Sequence, residues 1–185
     1  RREQVKHLIA FLRNARSNPR PFIAVDQEGG KVQRLNPWNG FKWVPSAAKV
    51  AGNPSFASPD AAERLYGEMA AELADAGFNM NLGPVVDLNT NPRNPVIGAR
   101  GRSFSADPDV VTSLAASFIR AHRAANIVTV AKHFPGHGSS VVDSHKRLAD
   151  VSKTWREAEL EPYRRLAEDG LLDAVMIGHR YHPRF

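Results

Sequence analysis

The chain has 185 residues, 42% hydrophobic and 24% charged, a balance that supports a packed core and excludes a disordered or fibrous chain. Its net charge of +6 is spread along the whole length without a basic run, so neither nucleic acid nor a membrane surface is the expected partner. Cysteine is absent, which excludes disulfides and thiolate chemistry, and no apolar stretch approaches the roughly 20 residues of a membrane span.

The cysteine-free composition fits a reducing compartment, and a cytoplasmic location is the expectation. The chain opens inside a helical pattern, so a segment ahead of Arg1 stays open. Residues 2 to 16 read as that helix, with Val5, Leu8, Ile9 and Leu12 on one face and Asn18, Pro19 and Pro21 ending it. Phe22 to Val25 is a continuous apolar run, the pattern of a strand buried on both faces. It terminates in Asp26, Gln27, Glu28, Gly29 and Gly30. Residues 35 to 58 are rich in Pro, Asn, Trp and Ser and read as a long surface loop with a short helical turn.

Residues 59 to 76 form the clearest helix: Ser58 caps it, Pro59 fits its first turn, Leu65, Met69 and Leu73 recur along one face, and Gly77 stops it. FNMNLGPVVDL is a second strand region reaching Asp87. Asp107 and Pro108 open another helix, with Val111, Leu114, Phe118 and Ile119 inward. IVTVAKH is a third strand. Ser152 or Thr154 is expected to cap helical sequence running to Asp169, interrupted near Pro162 and closed by Gly170. LLDAVMIGH is a fourth strand.

Strands alternating with helices argue for an α/β fold with parallel strands and crossover helices. Each strand ends in polar residues: Asp26 and Glu28, then Asp87, then Lys132 and His133, then His179. That is the expected rim of a (β/α) barrel, although a doubly wound sheet also places ligands at this edge. Four strand–helix units are about half of a (β/α)8 TIM-type barrel, so the expectation is one incomplete barrel domain over 1–185 with both ends missing.

The densest chemistry lies in AKHFPGHGSSVVDSH, residues 131 to 145. Its proline and two glycines place three histidines, a lysine and an aspartate on an irregular loop after a buried strand. Asp143 and His145, two residues apart, can pair if the loop curls. Such a carboxylate fixes the imidazole tautomer and stabilises its protonated form, and histidine titrates near working pH. A surface Asp–His contact without a task fits the same spacing. The spacings of His133, His137, Asp143 and His145 match no standard zinc pattern, and no metal or other cofactor is expected. A lysine at the end of a buried strand, as Lys132 is, points to hydroxyls or an anion. Asp26 is preferred to Glu28, which fits loop structure. Asp87 fits a supporting role, and His137, between glycines, shapes the loop. Ser144 lacks the strained turn that a nucleophilic serine needs.

Four segments resemble, in order, the motifs of family 3 glycoside hydrolases: DQEGGKVQR at 26 to 34, NPVIGARGRSF at 94 to 104, KHFPGHGSSVVDSH at 132 to 145 and DAVMIGH at 173 to 179. They look most like the bacterial β-N-acetylglucosaminidase branch, linked to peptidoglycan recycling. The resemblance implies a (β/α)8 catalytic barrel, monomeric when complete, that removes terminal N-acetylglucosamine with retention from muropeptides or chitooligosaccharides. It implies that His145 is the acid/base and Asp143 its orienting carboxylate. Lys132 and His133 match the pair that holds sugar hydroxyls, Asp26 the aspartate on the sugar's far side, and Arg102 the sugar-contacting arginine. Ser139 stands where many members carry an acidic residue. The family's aspartate nucleophile is expected some tens of residues beyond the fourth strand, so the chain alone is expected to be inactive. A phosphorylase of the same branch and a non-catalytic sugar-binding fragment are the rival readings. A β-glucosidase fits less well, because the DSH loop marks the hexosaminidase branch.

Overall fold

The computed structural model describes residues 1–15 and 18–185, so Arg16, the last residue of the first expected helix, lies outside the described residues. Helix α1 spans Arg2–Ala15. Only Ile9 on it is buried, and Leu8 and Leu12, expected inward, are exposed together with Phe11. The reason is that α1 touches the rest of the molecule along one edge. Ile9 meets the turn at Gly77, while Arg2 and Lys6 pair with Glu72 and Asp75.

Strand β1 (Ala24–Val25) lies at one edge of the main sheet. Val25 is buried but Phe22 is 67% exposed, so the expected burial on both faces does not hold: no described element covers the second face. The chain then folds into an antiparallel hairpin of β2 (Gln27–Gly29) and β3 (Val32–Gln33). Gly29 turns it at φ 97°, and a Cβ there would come within 2.3 Å of the Pro45 carbonyl oxygen.

Residues 35–58 run along the surface, with Trp38 and Trp43 exposed, and include the short helix α2 (Ala47–Ala51), but Leu35, Phe41, Val44, Ala47 and Val50 are buried. Gln33 fastens it down: its amide donates to the carbonyls of Leu35 and Lys42, and its side-chain oxygen accepts from the Val44 N–H at 3.0 Å. Its polar composition conceals a buried seam.

Helix α3 (Pro59–Ala76) begins where the Ser58 hydroxyl accepts from the Ala61 N–H at 3.3 Å and ends at Gly77, φ 97°. Strand β4 (Met80–Asn81) is shorter than the expected region, because Gly83 and Pro84 interrupt the ladder and proline has no N–H to give. Pairing resumes at a bridge between Val85 and Lys132. Helix α4 (Pro108–Ala124) is capped by Asp107, whose carboxylate accepts from the Asp109 N–H at 2.9 Å.

Strand β5 (Val128–Phe134) leads into the loop of interest, which returns through β6 (Ala149–Asp150). Neither Ser152 nor Thr154 caps the next helix. A 3-10 turn over Glu157–Leu160 precedes α5 (Glu161–Glu168), and Pro162 sits in its first turn, where its missing N–H costs nothing. Strand β7 (Ala174–Ile177) follows, and β8 (Arg180–Tyr181) pairs with β6.

The main sheet runs β1-β4-β5-β7, parallel throughout, with α3, α4 and α5 as the crossovers. Strand order follows chain order with no reversal. A doubly wound sheet would show a switch point, so the arrangement is an open run of barrel staves. Helices α3, α4 and α5 pack side by side over the sheet. The main core between them includes Tyr66, Met69, Val86, Leu88, Leu114, Phe118 and Leu166. Phe118 is its centre, with Tyr66 at 4.8 Å and the His122 ring stacked at 4.1 Å. Among the described residues no helix is long and apolar enough to cross a membrane.

Candidate active site

The strand ends converge on a cavity of about 530 Å³. Asp26 enters from the end of β1, Lys132 and His133 from β5, Arg102 from the segment before α4, and Asp143 and His145 from the loop after β5. All six residues singled out by the sequence therefore stand in one wall.

Lys132 organises the floor. Its side chain is only 2% exposed, and its ammonium sits 2.7 Å from Asp26 Oδ1 and 2.7 Å from Glu28 Oε1. A buried ammonium needs such partners, since removing it from water costs several kcal/mol. Glu28 also takes the Arg102 fork: Nε to Oε2 and Nη2 to Oε1, both at 2.8 Å. Burial alone would raise the Glu28 carboxyl, but the Arg102 fork and the Lys132 charge outweigh it and hold it below the usual carboxylate range. Arg102 also donates to the Val96 carbonyl at 3.2 Å. Its guanidinium is thus largely committed to the protein, and it faces the cavity as a fixed charge.

The wall above is built on Asp87, which is fully buried. Its carboxylate accepts the His133 N–H at 3.1 Å, the His133 Nδ1–H at 2.7 Å and the His137 N–H at 2.7 Å. Burial opposes the Asp87 charge, but the His133 ring, Arg180 and His137 outweigh it and keep the carboxyl ionised. Burial lowers His133 as well, against the pull of the Asp87 carboxylate, and so favours the neutral ring. The anion on one side therefore fixes the proton on Nδ1. Nε2 is left as the acceptor, with Arg102 Nη2 at 3.4 Å, and it lies on the cavity side.

Two backbone devices hold this wall. A Cβ on Gly138 would meet the Leu88 carbonyl oxygen at 1.5 Å, so only glycine lets the loop lie against the strand-end segment. Arg180 donates through Nη2 to the carbonyls of His133 and Phe134, where β5 ends.

The Asp143–His145 pair is formed: Asp143 Oδ1 accepts from the His145 N–H at 2.9 Å and from ring Nδ1 at 2.8 Å. Asp143 is held below the usual range, first by that backbone N–H and then by the ring. The His145 side chain is 77% exposed, so its Nε2 is open to the cavity mouth. His137 Nε2 lies 3.2 Å from Ser144 Oγ and ties the loop to the wall. Among the described residues no group of three His, Cys, Asp or Glu is arranged to hold a metal ion.

Sequence reasoning undervalued two residues. Glu28 is the anion shared by Lys132 and Arg102, and its signal was available: positions 26 and 28 of an extended segment point to one side. Asp87 supports His133 and His137 and was visible only as a strand-end carboxylate. Arg180 had no signal, because its role is to donate to backbone carbonyls.

The whole chain, residues 1–185, matches the glycosyl hydrolase family 3 N-terminal domain. It is 39% identical over 184 residues to a beta-hexosaminidase of Pseudomonas aeruginosa, covering 98% of this chain and 52% of that protein. A beta-hexosaminidase of Tolumonas auensis is 39% identical over 181 residues, with 96% and 52% covered. Among solved structures, NagZ of Neisseria gonorrhoeae in complex with N-trifluoroacetyl-D-glucosamine superposes with a TM-score of 0.87 at 32% identity, over 100% of this chain and 54% of the other. Beta-N-acetylhexosaminidase of Beutenbergia cavernae gives 0.84 at 30% identity, over 98% and 54%. The chain spans about half the length of the curated relatives it matches. It belongs to the glycosyl hydrolase family 3 N-terminal domain family, whose TIM-barrel-like fold it shows as an open run of four staves.

Proposed function

We propose that this chain carries the sugar-holding wall and the acid/base of a retaining exo-β-N-acetylglucosaminidase. The observation that carries the reading is the formed Asp143–His145 pair on the wall that also holds Asp26, Lys132 and His133. A proton on His145 Nε2 passes to the leaving glycosidic oxygen as the bond to the anomeric carbon breaks. The neutral ring then takes a proton from the water that releases the sugar. Asp143 orients the ring and stabilises the imidazolium between these steps. Lys132, Asp26 and the acceptor Nε2 of His133 suit the hydroxyls of a pyranose. The beta-hexosaminidase relatives and the N-acetylglucosamine analogue in the Neisseria complex support an N-acetylhexosamine as that sugar. Peptidoglycan fragments as its source follow from the motif resemblance.

The covalent step needs a free carboxylate, and the described cavity wall offers none. Asp26 is bound to Lys132 and Asp143 to His145, while Glu28 lies between Lys132 and Arg102. The chain by itself is therefore inactive in this reading, and the attacking carboxylate belongs to the intact enzyme. An aryl N-acetylglucosaminide tests both claims: the intact enzyme turns it over and the 185-residue chain does not. Clear turnover by the chain would refute the assignment.

Phosphorolysis is the second reading, because Lys31, Arg34 and Arg100 line the same cavity without an ion pair among the described residues. A sugar 1-phosphate product that appears only with phosphate favours it.

A further inference from the structure

A second cavity, of about 540 Å³, lies on the other flank of the loop that carries Asp143 and His145. Its wall comprises Arg93, Lys153 and Arg156, with Thr90, Asn91 and Thr154 and the loop residues Ser139 and Val141. No carboxylate is among them. None of the three cations makes an ion pair among the described residues. The buried carboxyl of Glu159 lies behind Ser139 and Arg156, and burial is the first cause that pushes it up toward its neutral form.

Three further observations make this more than a basic patch. Arg156 is pre-set, because Nη1 donates to the carbonyls of Lys153 at 3.0 Å and Trp155 at 2.9 Å, leaving Nε and Nη2 unused. Thr154 Oγ1 is buried with no hydrogen-bond partner among the described residues. Buried hydroxyls are normally satisfied, so this one is a donor still without an acceptor. The volume lies in the range of small-molecule pockets.

We propose that this cavity binds a small oxyanion, a phosphate or a carboxylate, and that its occupant touches the acid/base loop from behind. The contact is direct: Ser139 and Val141 stand in the wall, and Asn91 Nδ2 donates to the Ser140 carbonyl at 2.9 Å. Cations and hydroxyl donors converge on an acceptor-only ligand, and the loop reports its presence. The site is independent of the reaction proposed above and survives if that reading fails.

Titration calorimetry of the protein with inorganic phosphate, and separately with L-alanyl-D-glutamate, tests the proposal. Saturable binding is expected with at least one probe. A response to phosphate alone points to a free phosphate ligand. Tighter binding of the dipeptide points to peptide carboxylates. Arg93→Gln and Lys153→Gln, both exposed and unpaired, should each weaken binding about tenfold, as expected for losing a charged hydrogen-bond partner. Arg20→Gln, exposed and in neither cavity wall, should leave it unchanged. Hydrogen exchange at 139–142 should slow on saturation. No saturable binding, binding abolished by Arg20→Gln, or binding indifferent to both Arg93→Gln and Lys153→Gln would overturn the proposal.

Discussion

Asp143 Oδ1 accepts two hydrogen bonds from one residue, His145: the backbone N–H at 2.9 Å and ring Nδ1 at 2.8 Å. The backbone bond locks the carboxylate in place, so the ring is held by a group that cannot swing away. With Nδ1 donating, Nε2 is the position that gains and loses the working proton.

Asp143→Asn keeps the shape and removes the charge. In the intact enzyme kcat should fall by about 10²-fold or more, because the imidazolium loses its counter-charge. A rate equal to the parent would mean that the carboxylate has no part in proton transfer.

Glu28 is 7% exposed at its side chain and bridges Lys132 and Arg102. Arg102→Met removes one buried partner and leaves Lys132 alone against the two carboxylates of Asp26 and Glu28. Denaturant unfolding should show a loss of roughly 3 kcal/mol, the scale for breaking a buried pair by one partner. A loss below about 1 kcal/mol would place the fork with ordinary surface pairs.

His122 is fully buried, with Nδ1 donating to the Phe118 carbonyl at 2.8 Å and Nε2 accepting from Asn81 at 2.9 Å. Burial pushes its pKa down from 6.5 to about 4, and His137 is pushed down to about 4 for the same first reason. Between those values the unfolded chain binds more protons than the folded one. Stability is therefore complete above pH 6.5 and falls as pH drops toward 4. For His122 the gap corresponds to roughly 3 kcal/mol. Chemical denaturation at pH 7 and at pH 4.5 reads it. His122→Gln should flatten the slope, and an unchanged slope would assign the acid sensitivity elsewhere.

Ser144 Oγ and His137 Nε2, 3.2 Å apart, join the acid/base loop to the wall. Ser144→Ala should speed hydrogen exchange at 141–147 while global stability changes by less than about 1 kcal/mol. Unaltered exchange would mean that the loop is held by its backbone alone.

The strand ends were legible because chemistry and periodicity coincide there. Asp26, Lys132 and His133 each follow an apolar run, and all three reach one cavity. Helix α3 was legible to the residue at both ends, through Ser58 and Gly77, and α4 at its start, through Asp107. Three things were hidden. Residues 35–58 look polar, yet Phe41, Val44 and Val50 are buried, because Gln33 satisfies the backbone there. Leu8 and Leu12 keep a helical spacing without a surface to meet. The reach of Glu28 and Asp87 depends on partners 74 and 46 residues away, which no local pattern shows.

The central claim is that His145 delivers the proton to the leaving group. Its most direct measurement compares His145→Ala with the parent, as the intact enzyme, on an alkyl and on a dinitrophenyl N-acetylglucosaminide. The alkyl substrate should slow by about 10²-fold or more, while the dinitrophenyl one, whose leaving group needs no proton, should form the glycosyl-enzyme nearly as fast as before. An equal loss on both, or none on the alkyl substrate, would contradict it.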